Sequence, residues 1–129
     1  MTQTNKVVPG FNALGISPEL LEVLAKLQFF TPTPIQHQCI PAALEGKDIV
    51  GIAQTGTGKT LAFGVPMIQL LGQNKGQGLI LLPTRELALQ VNEVLQSIGK
   101  SFGLRTAVII GGASSYQQIQ TIRRNPHIL

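Results

Sequence analysis

The run AQTGTGKT, Ala53 to Thr60, puts two glycines, two further threonines, a lysine and a final threonine into eight positions. Gly56 and Gly58 carry no Cβ, so the backbone there can turn successive N–H groups inward onto an anion. Lys59 can reach the outer phosphates of a nucleotide, and the Thr60 hydroxyl can ligate Mg²⁺. The spacing fits a phosphate loop, with Ala53 where the first glycine usually stands, followed by Gln54, Thr55, Gly56, Thr57, Gly58, Lys59 and Thr60. A plain Gly-rich turn would need no apolar run before it and no helix after it, and both are present. A dinucleotide fingerprint is excluded, because Leu61 holds the place of its third glycine. A guanine reader is excluded as well, because NKGQ at 74–77 lacks the aspartate that reads the base.

These residues need elements to hold them. SPELLEVLAKLQF reads as a helix, with Ser17 as cap, Pro18 and Glu19 in the first turn, and Leu20, Leu24 and Leu27 on one face. TPTPIQ breaks it, and a shorter helix follows from Ile35 to Leu44 despite Pro41. IVGIA, just before the loop, is a short apolar run expected to form a strand buried on both faces. A helix over 59–71 is expected, weakened or kinked by Gly64 and Pro66. LILL and TAVII are the next expected strands, and HIL begins a fourth. TRELALQVNEVLQSIGK has the clearest helical stripe, and 115–124 reads as a polar helix. Such alternation implies parallel strands joined by right-handed crossovers.

Three further motifs accompany the loop: FFTPTPIQ at 29–36, PTRELA at 83–88 and the glycine pair at 111 and 112. In this order they resemble the N-terminal RecA-like domain of the DEAD-box RNA helicases, over about residues 11–129. The resemblance implies an α/β fold: an incomplete RecA-like P-loop domain, a parallel sheet flanked by helices, behind a loose leader at 1–10. FFTPTPIQ is similar to the family's Q motif, in which the glutamine, here Gln36, reads adenine. An amide suits that edge, since it both donates and accepts. Phe29 and Thr31 match the motif's aromatic and its variable polar position, and Thr33 and Pro34 its core. The family usually has glycine before the aromatic, where this chain has Gln28. Phe11 matches an isolated upstream aromatic, which either stacks on the base or anchors the leader.

PTRELA is similar to the family's RNA-gripping motif. Pro83 and Thr84 are expected to end a strand, and Arg85 brings a planar cationic fork to a helix N-terminus, where phosphate is favoured. A salt bridge from Arg85 to Glu86 or Glu93 is the competing reading. Gly111 and Gly112 match a double glycine that lets an RNA backbone come close, or they form a tight turn.

Other residues call for no chemistry. Cys39 is a lone thiol that can form no internal disulfide and reads as a core residue. His37 and His127 belong to no ligand cluster. Arg123 and Arg124 read as a solvated helix end, and Tyr116 has no assigned role. The net charge of +4 favours a polyanion only slightly. No apolar run is long enough for a membrane span, and a cytoplasmic setting is expected.

The acids limit the chemistry. After Thr60 the only ones are Glu86 and Glu93, and the single aspartate, Asp48, precedes the loop. The acid that would hold a second side of the metal, and the Asp-Glu-Ala-Asp box itself, have no candidate. The expectation is therefore a truncated N-terminal part of an ATP-dependent RNA helicase. It would bind ATP or ADP with Mg²⁺ and contact RNA through its backbone, with little hydrolysis or unwinding of its own. The parent's second RecA-like domain would be missing. The alternatives are a non-catalytic short chain that binds adenine nucleotide or RNA, and a truncated remnant.

Overall fold

Ser17 opens the first helix as its position demands. In the computed structural model, which describes residues 10–54 and 58–129, its hydroxyl accepts from Leu20 N at 3.4 Å. Helix α1 runs Pro18–Lys26, with Glu19 in the first turn and Lys26 in the last, a favourable arrangement for the helix dipole. Its apolar stripe delivers Leu20 and Leu24 to the core, both fully buried. The helix closes in a Schellman motif: Phe29 N donates to Leu24 O and Gln28 N to Ala25 O. That closure forces Gln28 to φ +65°, the left-handed region. The family's usual glycine at this position is thus explained by backbone geometry.

Helix α2 (Pro34–Leu44) starts on Pro34, whose missing N–H costs nothing in a first turn, and it passes through Pro41 without ending. Helix α3 (Lys59–Gln73) likewise runs unbroken through Gly64 and Pro66. Burial overrides propensity there, since Leu61, Ala62, Val65 and Ile68 all point into the core. Gly64 also has a packing reason: a Cβ at that position would lie 2.9 Å from Leu95 Cδ2 on helix α4. Helix α4 (Arg85–Gly99) is capped by the Thr84 hydroxyl, which accepts from Leu87 N. Helix α5 (Ser115–Arg123) is polar and buries no residue; Gln118 ties it back by accepting from Ile110 N at 2.7 Å.

The helices stack in one cluster, with α2 against α3, α3 against α4, and α1 touching α4. The core joins Leu20, Leu24, Ile40, Val65, Ile68 and Ile98. Each such side chain contributes roughly 1.5–3 kcal/mol of burial. A polar clasp reinforces the cluster: Gln69 of α3 accepts from Ser17 N and donates to Gly15 O.

The expected parallel sheet is not formed. Among the described residues the fold is almost entirely helical, and neither a strand nor a sheet is present. IVGIA, LILL, TAVII and HIL are extended but remain unladdered. Two isolated parallel bridges stand in their place, Gly78 with Ile128 and Thr106 with Ile128. The reason is a shortage of neighbours. A ladder needs successive paired positions, and only 127–129 lies between two extended segments that both bond to it. Residues 49–52 have no such neighbour, and Val50 and Ile52 stand 91% and 90% exposed. The proposed α/β class with a parallel sheet flanked by helices is therefore corrected to a helical cluster with extended connections. The leader expected at 1–10 lies outside the described residues, apart from Gly10.

A left-handed glutamine is strained by roughly 1–2 kcal/mol, while glycine gives part of this back through its freer unfolded state. Gln28→Gly is expected to stabilise the chain by roughly 0.5–1 kcal/mol. A higher midpoint in thermal or urea unfolding would show it, and a lower midpoint would refute the strain.

Candidate functional site

The side chain at the centre of the site is Gln36, three residues into α2 and only 3% exposed. Its Oε1 accepts from Thr33 N at 2.9 Å, while its Nε2 donates to Gly58 O at 3.0 Å. One carboxamide therefore joins the FFTPTPIQ segment to Gly58, in the glycine-rich segment before α3. The carboxamide has one donor and one lone pair left over. Beside it, the Thr33 hydroxyl is buried; it faces Gln36 N in the capping box but makes no full hydrogen bond among the described residues. A buried hydroxyl without a partner is costly and uncommon.

Gly58 meets this pair at close quarters. It is the N-cap of α3 at φ +83°, and a Cβ there would fall 2.3 Å from Gln36 Nε2 and 3.0 Å from Thr33 Oγ1. Glycine is required twice over, by conformation and by space. Lys59, the first residue of α3, is exposed, and Thr60 is half-buried. Ala53 is half-buried and Gln54 exposed. Thr55, Gly56 and Thr57 lie outside the described residues.

The aromatics of the expected base site separate. Phe11, at the start of a short 3₁₀ turn (Phe11–Ala13), is 4% exposed and belongs to the core. Phe29 is exposed at the Schellman end of α1, and Thr31 is exposed beside it.

An apolar cavity of about 700 Å³ flanks the loop, with Ile35, Cys39, Phe63 and Met67 among its walls and Lys59 and Lys47 at its cationic edge. Lys47 pairs with Glu45 at 2.7 Å. The hydrogen bond and the negative charge of Glu45 raise its ammonium above the ordinary lysine pKa.

At the start of α4, PTRELA and the glycine pair come together. Arg85 is the first residue of α4, exposed, and without an ion pair among the described residues. The expected alternative, a bridge to Glu86 or Glu93, does not form. A Cβ on Gly112, which sits at φ +82°, would lie 3.3 Å from Arg85 Nη1, while the space around Gly111 is open. An unpaired cation at a helix N-terminus is poorly placed for the dipole unless an anion joins it. Pro83 and Thr84 are exposed alongside. Among the described residues no group of three His, Cys, Asp or Glu side chains is placed to hold a metal, and no helix is long and apolar enough to cross a membrane.

Sequence reasoning placed Gln36 at a base and missed its bond to Gly58. The signal was present, because Thr33-x-x-Gln36 has the spacing of a capping box, which predicts an inward-turned glutamine. The roles of Gln69 and Gln118 have no such signal: Gln69 bonds residues 52 and 54 positions away, and Gln118 bonds across a turn to Ile110.

The DEAD/DEAH box helicase pattern matches residues 33–129. The chain is 50% identical over 121 residues to the ATP-dependent rRNA helicase RRP3 of Debaryomyces hansenii, covering 92% of this chain and 25% of that protein. It is 45% identical over 129 residues to rrp3 of Schizosaccharomyces pombe, covering 98% and 28%. The chain thus spans about a quarter of the length of these relatives. Among solved structures, a DEAD box protein from the hyperthermophile Methanococcus jannaschii superposes with a TM-score of 0.85 at 39% identity, over 92% of this chain and 33% of that one. The RNA helicase Prp28 of Chaetomium thermophilum, bound to ADP, gives 0.78 at 35% identity, over 88% and 30%. With the matched pattern covering most of its length, this chain belongs to the DEAD/DEAH box helicase family.

Proposed function

We propose that this chain is the nucleotide-binding and part of the RNA-binding portion of an ATP-dependent RNA helicase. The observation that carries the reading is the Gln36 carboxamide, held between Thr33 and Gly58 with a donor and a lone pair to spare. An adenine edge needs one donor and one acceptor, and the orphaned Thr33 hydroxyl offers another polar group beside it. Phe29 and Thr31 flank this site. Phe11 stacks on the base only if its ring leaves the core. Ala53 to Thr60 hold the phosphates, with Lys59 as the cation and the N-terminus of α3 supplying positive potential. The Thr60 hydroxyl would hold Mg²⁺. When bound, the ion neutralises phosphate charge and polarises the outer phosphoryl group.

RNA is assigned to Arg85, with Pro83, Thr84, Gly111 and Gly112 beside it. The guanidinium lacks an acid partner and meets a glycine turn that leaves room for a phosphodiester. Such contacts read backbone and not sequence. The RRP3 relatives are named as rRNA helicases, and rRNA is the substrate proposed for a protein of their full length, in a cytoplasmic setting.

Lys59 and Thr60 are the candidate catalytic residues. The chain spans about a quarter of the length of its RRP3 relatives, so hydrolysis and unwinding are proposed for a protein of that full length.

Calorimetric titration tests the nucleotide site. ADP is expected to bind more tightly than GDP, with the preference shrinking roughly tenfold in Gln36→Ala, about the worth of one or two hydrogen bonds. Lys59→Ala is expected to weaken ADP by a similar or larger factor. Equal binding of both bases would remove the adenine assignment, and an indifferent Lys59→Ala would remove the loop assignment. For RNA, affinity for a single strand is expected to fall steeply with salt, and the salt slope to flatten by about 0.7 in Arg85→Ala. An unchanged slope would place the phosphate contact elsewhere.

A further inference from the structure

Gln118, in the first turn of α5, holds both legs of the glycine turn at 111 and 112. Its backbone N–H donates to Ser114 O at 3.1 Å, on the leg that leaves the turn. Its side-chain Oε1 accepts from Ile110 N at 2.7 Å, on the leg that enters it. We propose that Gln118 is a positioning residue for RNA, which fixes the glycine turn against Arg85 in the geometry that receives a phosphodiester. The inference rests on the assignment of RNA to Arg85 and the glycine pair, and it names the residue that holds the pair in place.

Two adjacent glycines make a loose backbone. Gly112 sits at φ +82°, and a Cβ there would lie 3.3 Å from Arg85 Nη1, so the turn faces the guanidinium at close range. A phosphate that touches both partners binds well only where the gap between them is already set. Otherwise its binding must also order the loop. Packing does not set the gap, because the space around Gly111 is open. Hydrogen bonds do. The segment that enters the turn is pinned at its start, where Thr106 Oγ1 donates to Asn92 Oδ1 at 2.6 Å. Asn92 stands about two helical turns beyond Arg85 on α4. One helix therefore carries the guanidinium and the first anchor of the segment. Gln118 supplies the second anchor, at Ile110, next to the glycines.

Helix α5 itself depends little on this bond. It buries no residue, and its start is already capped by the Ser114 hydroxyl, which accepts from Gln117 N. The short, part-buried bond to Ile110 therefore acts chiefly on the turn. Its working atom is an acceptor oxygen, and another side chain that brings an oxygen to the same place would serve.

The test is fluorescence anisotropy of a labelled oligouridine strand on the 129-residue chain and on its Gln118→Met and Gln118→Glu variants, with amide exchange at Ile110 read in parallel. Methionine has the reach of glutamine and no oxygen. Exchange at Ile110 is expected to quicken roughly tenfold in that variant, and RNA affinity to fall roughly three- to tenfold, the worth of one hydrogen bond. The salt slope is expected to stay unchanged, since no cation leaves a phosphate, and ADP affinity to stay unchanged as well. Glutamate keeps the acceptor, and is expected to restore both Ile110 protection and RNA affinity to within about twofold of the unsubstituted chain. Full RNA affinity in Gln118→Met would make the bond a support of α5 alone and overturn the proposal. Weak binding by Gln118→Glu with Ile110 still protected would overturn it too, by assigning Gln118 a direct contact through its amide N–H groups. A parallel loss of ADP affinity would replace positioning by a general loss of structure. The RNA reading fails separately: if Arg85→Ala leaves the salt slope unchanged, that reading falls and takes this proposal with it.

Discussion

The Gln36 carboxamide is the interaction on which the arrangement around the loop depends. It is buried, and it holds two backbone groups that belong to separate elements, Thr33 N at the entry to α2 and Gly58 O at the entry to α3. A polar side chain in that position must satisfy both of its ends or lose more than it gains. The close packing of α2 on α3 therefore comes with a fixed distance between the two helix starts. Gly58 accepts this only because it has no side chain.

The same constraint explains why the two halves of the candidate site differ in character. The Gln36 carboxamide is enclosed and held by its neighbours, while Phe29, Thr31 and Lys59 around it are exposed. The Arg85 side is open, with a guanidinium and a glycine turn that have little around them. An enclosed site can discriminate between bases through its geometry. An open one responds mainly to charge, which matches the different ligands assigned to the two halves.

Much of this was legible in the sequence. The cap at Ser17, the stripe of Leu20 and Leu24, and the helix after Lys59 follow from local rules and lie close to their expected bounds. Family membership was legible from the motif order. The sheet was not, because the apolar, β-branched character of IVGIA and TAVII states a preference for extended backbone but cannot supply the neighbour that a ladder needs. Helix α3 continues through Gly64 and Pro66 for a related reason. Propensity is local, whereas the contact with Leu95 and the burial of Val65 are tertiary. The glycine expected before Phe29 by resemblance found its cause only in the left-handed turn at Gln28.

The clasp made by Gln69 has a further consequence. Its amide grips Ser17 N and Gly15 O from across the core, while Leu20 and Leu24 pack into the same cluster as Val65 and Ile68. The segment before α2 is thus bound to α3 by forces that do not pass through the peptide chain at 27–33. Mechanically, α1 is a part docked onto the scaffold, and any tilt of α3 about its N-terminal end at Gly58 carries the N-terminal segment with it as one lever arm.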